Sequence, residues 1–84
     1  MTEQELIEIF REAAIEVCGE VDGDITADAL VEDLGIDSMD MIEIGMIVEE
    51  RLDIVIKSED FEGVTTVAGA LAVFDRLVTA ALVQ

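Results

Sequence analysis

Few side chains in this 84-residue chain could do covalent chemistry, and Ser38 is the most notable of them. It directly follows Asp37, and the chain contains no His and a single Cys, Cys18. A serine nucleophile needs a neighbouring base to take its proton, and only carboxylates are available beside Ser38. The pattern therefore argues against a serine hydrolase. A lone Cys without His also cannot form a zinc site of thiolates and imidazoles.

A group of acids in the first half of the chain is a second candidate for a ligand site. Positions 1, 3, 5, 7 and 12 of a possible EF-hand-like calcium loop would be Asp22, Asp24, Thr26, Asp28 and Asp33. However, Ala27 stands where the turn needs Gly, and Asp33 stands where such loops carry Glu. An acidic calcium-binding or adaptor module is therefore a less favoured alternative, as is a purely structural interaction bundle.

The chain is strongly acidic, with 4 Lys and Arg against 21 Asp and Glu and a formal net charge of −17. Such a charge repels phosphates, which argues against binding to nucleic acids or to anionic membranes. Disordered acidic chains are poor in apolar residues, but 52% of these residues are hydrophobic, so we expect a folded domain. Between residues 32 and 62, 11 acids face only two bases, Arg51 and Lys57. The acidity therefore surrounds Ser38.

The length is that of one small domain, and we expect residues 1–84 to form it. Cys18 has no partner for a disulfide, which fits a reducing cytoplasm, and it is better explained as a core residue than as a reactive thiol. The beginning of the chain lacks the basic and apolar pattern of a signal peptide. The longest uncharged stretch, residues 63–74, is too short to span a bilayer. We expect a cytoplasmic monomer that does not insert into membranes.

The helical periodicity predicts an all-α fold: a small bundle of three main helices plus one short helix, with a long first loop. The first helix spans Glu3–Cys18 and begins with a capping box made by Thr2 and Glu5. It should bury one stripe of small and apolar residues. The members of this stripe are Leu6, Ile9, Phe10, Ala13, Ala14 and Val17.

Residues 19–35 form the long loop, with one helical turn expected near residues 29–33. Four apolar residues should anchor this loop to the core. They are Ile25, Leu30, Val31 and Leu34. The second helix follows the loop and spans Ser38 to about Leu52.

The remainder of the chain contains a short apolar stretch and two helical segments. Residues 54–56 could be a strand but have no partner strand. The segment Ser58–Phe61 is typical of one helical turn with Ser58 as its N-cap, ended by Gly63. The last helix follows residue 66 and runs to about Val83, and it is apolar on most faces.

The second helix is apolar on two opposite sides. The side predicted to face the core contains Met41, Ile44, Gly45, Val48 and Leu52. The other side contains Met39, Ile42 and Met46, and it is bordered by Glu43, Glu49 and Glu50. Burial of both sides is hard to arrange in so small a domain, and the bordering acids favour contact with water. We therefore interpret the second side as a docking surface for a partner with a hydrophobic groove and basic edges.

Ser38 stands at the start of this helix. By itself, a Ser at this place is best explained as an N-cap. A group attached to its oxygen, however, would lie beside free backbone N–H donors and the positive end of the helix dipole. A phosphodiester on Ser38 would therefore be stabilised.

Residues 31–44 read Val-Glu-Asp-Leu-Gly-Ile-Asp-Ser-Met-Asp-Met-Ile-Glu-Ile and resemble the attachment-site motif of acyl carrier proteins. The similarity continues through residues 48–56 and 64–68 and covers nearly the whole chain. In that family the Ser of the motif carries 4′-phosphopantetheine, whose thiol holds acyl intermediates as thioesters. The resemblance implies that Ser38 is the modified residue and that Asp37 is the acid recognised by the phosphopantetheinyl transferase. It also implies a carrier rather than an enzyme.

The resemblance further implies a set of partners: the transferase, and acyl-loading and synthase enzymes with basic, hydrophobic docking patches. The residues that would meet them are Met39, Asp40, Ile42, Glu43, Met46, Glu49 and Glu50. A groove between the second and third helices could shelter the acyl chain. The pathways served by such carriers are fatty-acid, polyketide or other specialised lipid biosynthesis.

Four positions depart from the pattern of fatty-acid carriers. Met39 replaces the usual Leu, Met41 replaces a frequent polar residue, Arg51 replaces an acid and Lys57 replaces a frequent Pro. These departures favour a polyketide or another specialised pathway at least as much as housekeeping fatty-acid synthesis. The Asp before Ser38 and the high acidity favour an acyl carrier over the alternative of a peptidyl or aminoacyl carrier.

Overall fold

The structure, a computed structural model, describes residues 1–21 and 23–82 and is helical, as predicted. The three main helices are α1 (Glu3–Cys18), α2 (Ser38–Leu52) and α3 (Val67–Leu82), and two short 3₁₀ helices span Glu32–Leu34 and Ser58–Phe61. The predicted continuation of the last helix to Val83 lies outside the described residues. Within the described part of the chain, no helix is long and apolar enough to cross a membrane.

The start of α1 follows the predicted capping box. The Glu5 amide donates to the Thr2 hydroxyl (3.2 Å), and the Thr2 amide donates to the Glu5 carboxylate (3.1 Å). The Thr2 hydroxyl also donates to the Glu5 carboxylate (3.1 Å). Because the hydrogen bonds from the Thr2 amide and then from the Thr2 hydroxyl favour the charged carboxylate, the pKa of Glu5 is lowered. The helix ends at Gly19, whose φ of 80° is accessible to glycine at little cost.

The core lies where the three main helices meet. Its largest fully buried side chains are Phe10, Ile44, Val48, Val67 and Phe74. The rings of Phe10 and Phe74 pack with centroids 6.5 Å apart and join α1 to α3. Burial of one such side chain stabilises the fold by about 1.5–3 kcal/mol. Among residues 1–21 and 23–82 this core contains no buried polar or charged side chain.

The first loop is anchored partly as predicted and partly by contacts that the sequence did not reveal. Ile25, Val31 and Leu34 are buried, but the prediction for Leu30 is wrong because its side chain is 44% exposed. The backbone explains this difference: Leu30 forms an isolated antiparallel bridge with Thr66, just before α3. This pairing, and not an apolar side chain, holds the loop at position 30.

The loop contains a 3₁₀ turn at Glu32–Leu34, at the end of the predicted helical region. The turn is closed by Gly35, which has a φ of 78°. Ile36 is then buried, and the next residue, Asp37, leads directly into α2. The turn therefore sets the position at which α2 begins.

Residues 54–56 do not form a strand. The chain leaves α2 through Asp53 in a left-handed conformation (φ 55°), Ile54 is buried, and Val55 is 73% exposed. The predicted turn Ser58–Phe61 is present as a 3₁₀ helix, but its N-cap is Lys57 and not Ser58. The reason is that the Asp60 carboxylate reaches back to accept the Lys57 amide hydrogen at 2.9 Å.

Candidate functional site

Ser38 is the first residue of α2 and is exposed. The interpretation of Ser38 as the N-cap is wrong, because Asp37 occupies that position. The Asp40 amide donates to the Asp37 carboxylate (2.8 Å), and the Asp37 amide donates to the Asp40 carboxylate (3.3 Å). Since these two acids form the capping box, the helix does not need the Ser38 hydroxyl for its own stability.

The start of α2 offers backbone donors beside Ser38. The first intrahelical hydrogen bond runs from the Met41 amide to the Asp37 carbonyl (3.0 Å), so the amides of Ser38, Met39 and Asp40 precede it. Asp37 already accepts from the Asp40 amide. The amides of Ser38 and Met39 therefore remain for a ligand held on the Ser38 oxygen.

The end of α1 lies close to the start of α2. Cys18, the last residue of α1, is half-buried, and this burial is the main reason why the pKa of its thiol is raised. The negative charge of Asp40 raises the pKa further. A thiol in such an environment is poorly ionised, which agrees with a structural role for Cys18.

A groove of about 370 Å³ includes Ser38 in its lining. Its apolar walls are formed by Val31, Ile36, Met41, Ile42, Phe61 and Val64. Its polar residues are Asp37, Ser38, Ser58 and Glu62. An aliphatic chain attached through Ser38 fits this arrangement, because the attachment point and the apolar walls belong to the same groove.

The structure separates the two apolar sides of α2 as the periodicity predicted. Met41, Ile44, Gly45 and Val48 are buried and Leu52 is half-buried. On the opposite side, Met39, Ile42 and Met46 are 70%, 49% and 62% exposed. An apolar stripe of this kind on a small domain is typical of a surface that contacts other molecules.

The acids assigned to this surface differ in their surroundings. Glu43 and Glu50 are exposed, whereas Asp40 and Glu49 are half-buried. Glu49 accepts a hydrogen bond from the Ile56 amide at 2.8 Å, which ties the segment after α2 back to the helix. Glu49 therefore has a structural contact that the sequence pattern did not reveal.

Several groove residues were missing from the sequence-based site. Phe61 and Val64 come from the connection between α2 and α3, and Val31 comes from the first loop. The sequence signal for a large residue packed against α2 was Gly45. It has no side chain, and it lies on the buried side of a helix that otherwise carries large residues there. Its neighbour Phe61 is separated from it by 16 positions, so the partner could not be identified from the local pattern.

The acidic loop contains the residues of the EF-hand-like alternative. In the described ranges, 1–21 and 23–82, no group of three or more metal-binding side chains comes together. The Thr26 hydroxyl instead donates to the Asp28 carboxylate at 2.8 Å. Asp22, the first position of the EF-hand-like alternative, lies outside these ranges. The described geometry gives no support to a calcium site.

Comparison with known proteins identifies the family. Residues 8–74 match the family model described as "Phosphopantetheine attachment site". An acyl carrier protein of an Exiguobacterium species is 36% identical over 73 residues, which cover 86% of this chain and 92% of the relative. The acyl carrier protein of Akkermansia muciniphila is 33% identical over 78 residues, which cover 92% of this chain and 98% of the relative. The meromycolate extension acyl carrier protein of Mycobacterium tuberculosis is 35% identical over 78 residues, which cover 92% of this chain and 68% of the relative.

Solved structures agree with this result. The actinorhodin acyl carrier protein from Streptomyces coelicolor, carrying a 3,7-dioxo-octyl group, superposes with a TM-score of 0.72 at 28% identity, covering 95% of this chain and 93% of that one. Its hexanoyl form gives a TM-score of 0.74 at 28% identity, covering 96% and 94%. With this sequence match and this fold, the chain belongs to the acyl carrier protein family, whose members hold acyl groups on 4′-phosphopantetheine.

Proposed function

We propose that Ser38 is the residue that carries 4′-phosphopantetheine. The observation that supports this most directly is the position of Ser38: it is exposed, it lines an apolar groove, and Asp37 relieves it of the capping role. When bound, the prosthetic group supplies a thiol that holds the acyl chain as a thioester. The amides of Ser38 and Met39 stabilise the negative charge of the phosphodiester, and the groove walls cover the apolar chain.

On this proposal the chain, residues 1–84, is one carrier domain without a catalytic activity of its own. The chain contains no His that could act as a base for Ser38, and its chemistry is performed by partner enzymes. The single, weakly ionised Cys18 fits a cytoplasmic protein.

We place the docking surface on α2 around Met39, Ile42 and Met46. The exposed apolar stripe would enter a hydrophobic patch of the partner. Its neighbouring acids, Asp40, Glu43, Glu49 and Glu50, would meet Lys and Arg at the edge of that patch. The partners on this proposal are the phosphopantetheinyl transferase and the acyl-loading and synthase enzymes. Long-range attraction between the acidic carrier and basic partners would speed encounter, while a small contact area permits rapid release.

The pathway that we propose is a polyketide or another specialised lipid pathway, with fatty-acid synthesis as the alternative. The structural similarity to the actinorhodin carrier and the sequence similarity to a meromycolate extension carrier support this choice. The same choice is supported by Met41, Arg51 and Lys57, which depart from the pattern of fatty-acid carriers.

Intact mass after incubation with coenzyme A and a broad-specificity phosphopantetheinyl transferase tests the attachment site. The chain contains two Ser residues, and both line the same groove, so Ser58→Ala is a matched control for Ser38→Ala. We expect the mass of the phosphopantetheine arm on the wild type and on Ser58→Ala, and no gain on Ser38→Ala. A gain that persists in Ser38→Ala would contradict the proposal.

The docking surface is tested by introducing a charge into the stripe. Met46→Glu should slow acyl transfer by partner enzymes while the melting temperature changes little, because Met46 is 62% exposed. Val55→Glu is the matched control, since Val55 is 73% exposed and lies outside α2. If Met46→Glu unfolds the domain, or if Val55→Glu slows transfer equally, the stripe is not the docking surface.

A further inference from the structure

Phe61 stands between two spaces beside α2. The larger is the groove of about 370 Å³ that includes Ser38, and the smaller is a cavity of about 60 Å³ that includes Gly45. Three residues line both spaces, namely Phe61, Ile42 and Ser58. Phe61 has the largest side chain of the three, so its ring forms most of the partition.

The ring of Phe61 occupies the place that a side chain at position 45 would need. A Cβ on Gly45 would lie 3.0 Å from Cε2 and 3.3 Å from Cζ of Phe61. The ring also packs edge-on against Phe74, with centroids 6.1 Å apart and an interplanar angle of 90°. Phe74 is fully buried, so the ring of Phe61 is supported by the core on one side and by the backbone of α2 on the other.

The short helix that carries Phe61 is itself held in place. Asp60 accepts from the Lys57 amide at 2.9 Å and from the Arg76 guanidinium of α3 at 3.2 Å. The ring nevertheless remains half-buried, because one side of it faces the groove. The partition is thus the ring of Phe61, which is carried by the short 3₁₀ helix and packs against Gly45.

We infer that the pair Gly45 and Phe61 sets the length of acyl chain that the groove shelters, and that the sheltered chain is a short acyl group that ends at the Phe61 ring. This inference rests on the proposed attachment at Ser38. The occupant follows from the position of Ser38 in the lining, the apolar walls and the limited volume of the groove. The smaller cavity beyond Phe61 is not available to the chain while the ring stays on Gly45.

The test is a series of loaded proteins. A broad-specificity phosphopantetheinyl transferase moves the acyl-phosphopantetheine group from acyl-coenzyme A donors with straight chains of increasing length to the Ser38 hydroxyl, and adenosine 3′,5′-bisphosphate is released. The melting temperature of each product is then measured. Sheltered methylenes stabilise the fold, whereas those left in water do not. The wild type should therefore gain stability with chain length up to a limit and then gain no more.

Substitutions should move this limit in opposite directions. Phe61→Ala joins the two spaces and should extend the limit to longer chains. Gly45→Ala places a Cβ 3.0 Å from the Phe61 ring. We expect the ring to move toward the groove and the limit to become shorter. Ile56 lines only the smaller cavity, so Ile56→Ala is the matched control and should leave the wild-type limit in place. Where circular dichroism shows that Phe61→Ala is unfolded, Phe61→Leu replaces it, with a smaller extension expected.

The outcomes separate this inference from the proposed function. Intact mass reports loading for every variant. If the wild type gains no mass, the proposed attachment fails and the inference fails with it. If loading succeeds but Phe61→Ala, or Phe61→Leu in its place, has the same limit as the wild type, only the inference is overturned. Equal extension by Ile56→Ala and Phe61→Ala would also overturn it, because the ring would then not be the partition.

Discussion

Asp37 and Asp40 cap each other at the start of α2, with amide-to-carboxylate distances of 2.8 and 3.3 Å. Asp37 and Asp40 are thus close to Ser38 in sequence. In addition to carrying charge, both stabilise the start of α2. The arrangement leaves the Ser38 hydroxyl exposed while it fixes the helix end beside it. Charge and capping can be separated experimentally, because Asn caps a helix about as well as Asp does.

Asp37→Asn should leave the stability nearly unchanged, whereas Asp37→Ala should lower the free energy of unfolding by about 1 kcal/mol through loss of the cap. If the transferase recognises the charge of Asp37, both variants should be modified more slowly at Ser38. Chemical denaturation and intact mass after short incubations measure the two effects. A normal modification rate in Asp37→Asn would show that capping, and not recognition of the charge, is the role of this residue.

The reactivity of Cys18 should depend on Asp40. Because burial and the nearby carboxylate raise the pKa of the thiol, alkylation of the native protein should increase only at a higher pH than for an ordinary Cys. After burial, the charge of Asp40 is the largest cause of the raised pKa of Cys18. Asp40→Asn removes this charge, so the midpoint of the pH profile should move to lower pH. Glu43→Gln is the comparison, with a smaller downward shift expected. An unchanged midpoint in Asp40→Asn would contradict this account.

The first loop should exchange its amide hydrogens slowly where it pairs with the start of α3. The Val31 amide donates to the Thr65 carbonyl (3.0 Å), and the Val67 amide donates to the Ala29 carbonyl (2.9 Å). The Thr66 hydroxyl accepts from the Gly69 amide at 3.1 Å and caps α3 beside this pairing.

Thr66→Ala should destabilise this end of α3 by about 1 kcal/mol and speed exchange at Val31 and Val67 together. Thr66→Ser, which keeps the hydroxyl, should change both rates much less. Hydrogen exchange followed by NMR measures the rates. Acceleration at Val67 alone would mean that the loop is held independently of α3.

Added salt should raise the melting temperature. The net charge is −17, and the ion pairs Arg11–Glu8 (3.1 Å), Arg51–Glu12 (2.7 Å) and Arg76–Asp60 (3.2 Å) are partly exposed to water, so each contributes little. Screening therefore acts mainly on repulsion between acids.

Arg51→Gln provides the comparison for this effect. It removes the ion pair between α2 and α1 and makes the chain more acidic, so the melting temperature should depend on salt more steeply than in the wild type. Differential scanning calorimetry in increasing NaCl measures both slopes. A melting temperature that stays flat or falls with salt would show that charge repulsion does not limit the stability of this fold.

The helices were predictable because their signals are local. Thr2 and Glu5 mark the start of α1, and the apolar residues of α1 and α2 recur with the helical period. Contacts distant in sequence were not predictable in the same way. Leu30 looks like an anchor in the sequence, but its backbone pairs with Thr66 and its side chain stays exposed.

In the candidate site, too, local features were predictable from the sequence and contacts between separate elements were not. The amino-acid sequence alone determined the family motif around Ser38, the exposed stripe of α2 and the excess of acids, because motif, period and charge are properties of neighbouring residues. The Asp37 cap is also local, since its capping box with Asp40 spans three residues, but the sequence interpretation assigned the cap to Ser38. Only the tertiary structure decided that Glu49 holds the Ile56 amide and that Phe61 rests on Gly45. These last relationships depend on how separate elements pack, and close packing places atoms to within a few tenths of an ångström, which no local pattern specifies.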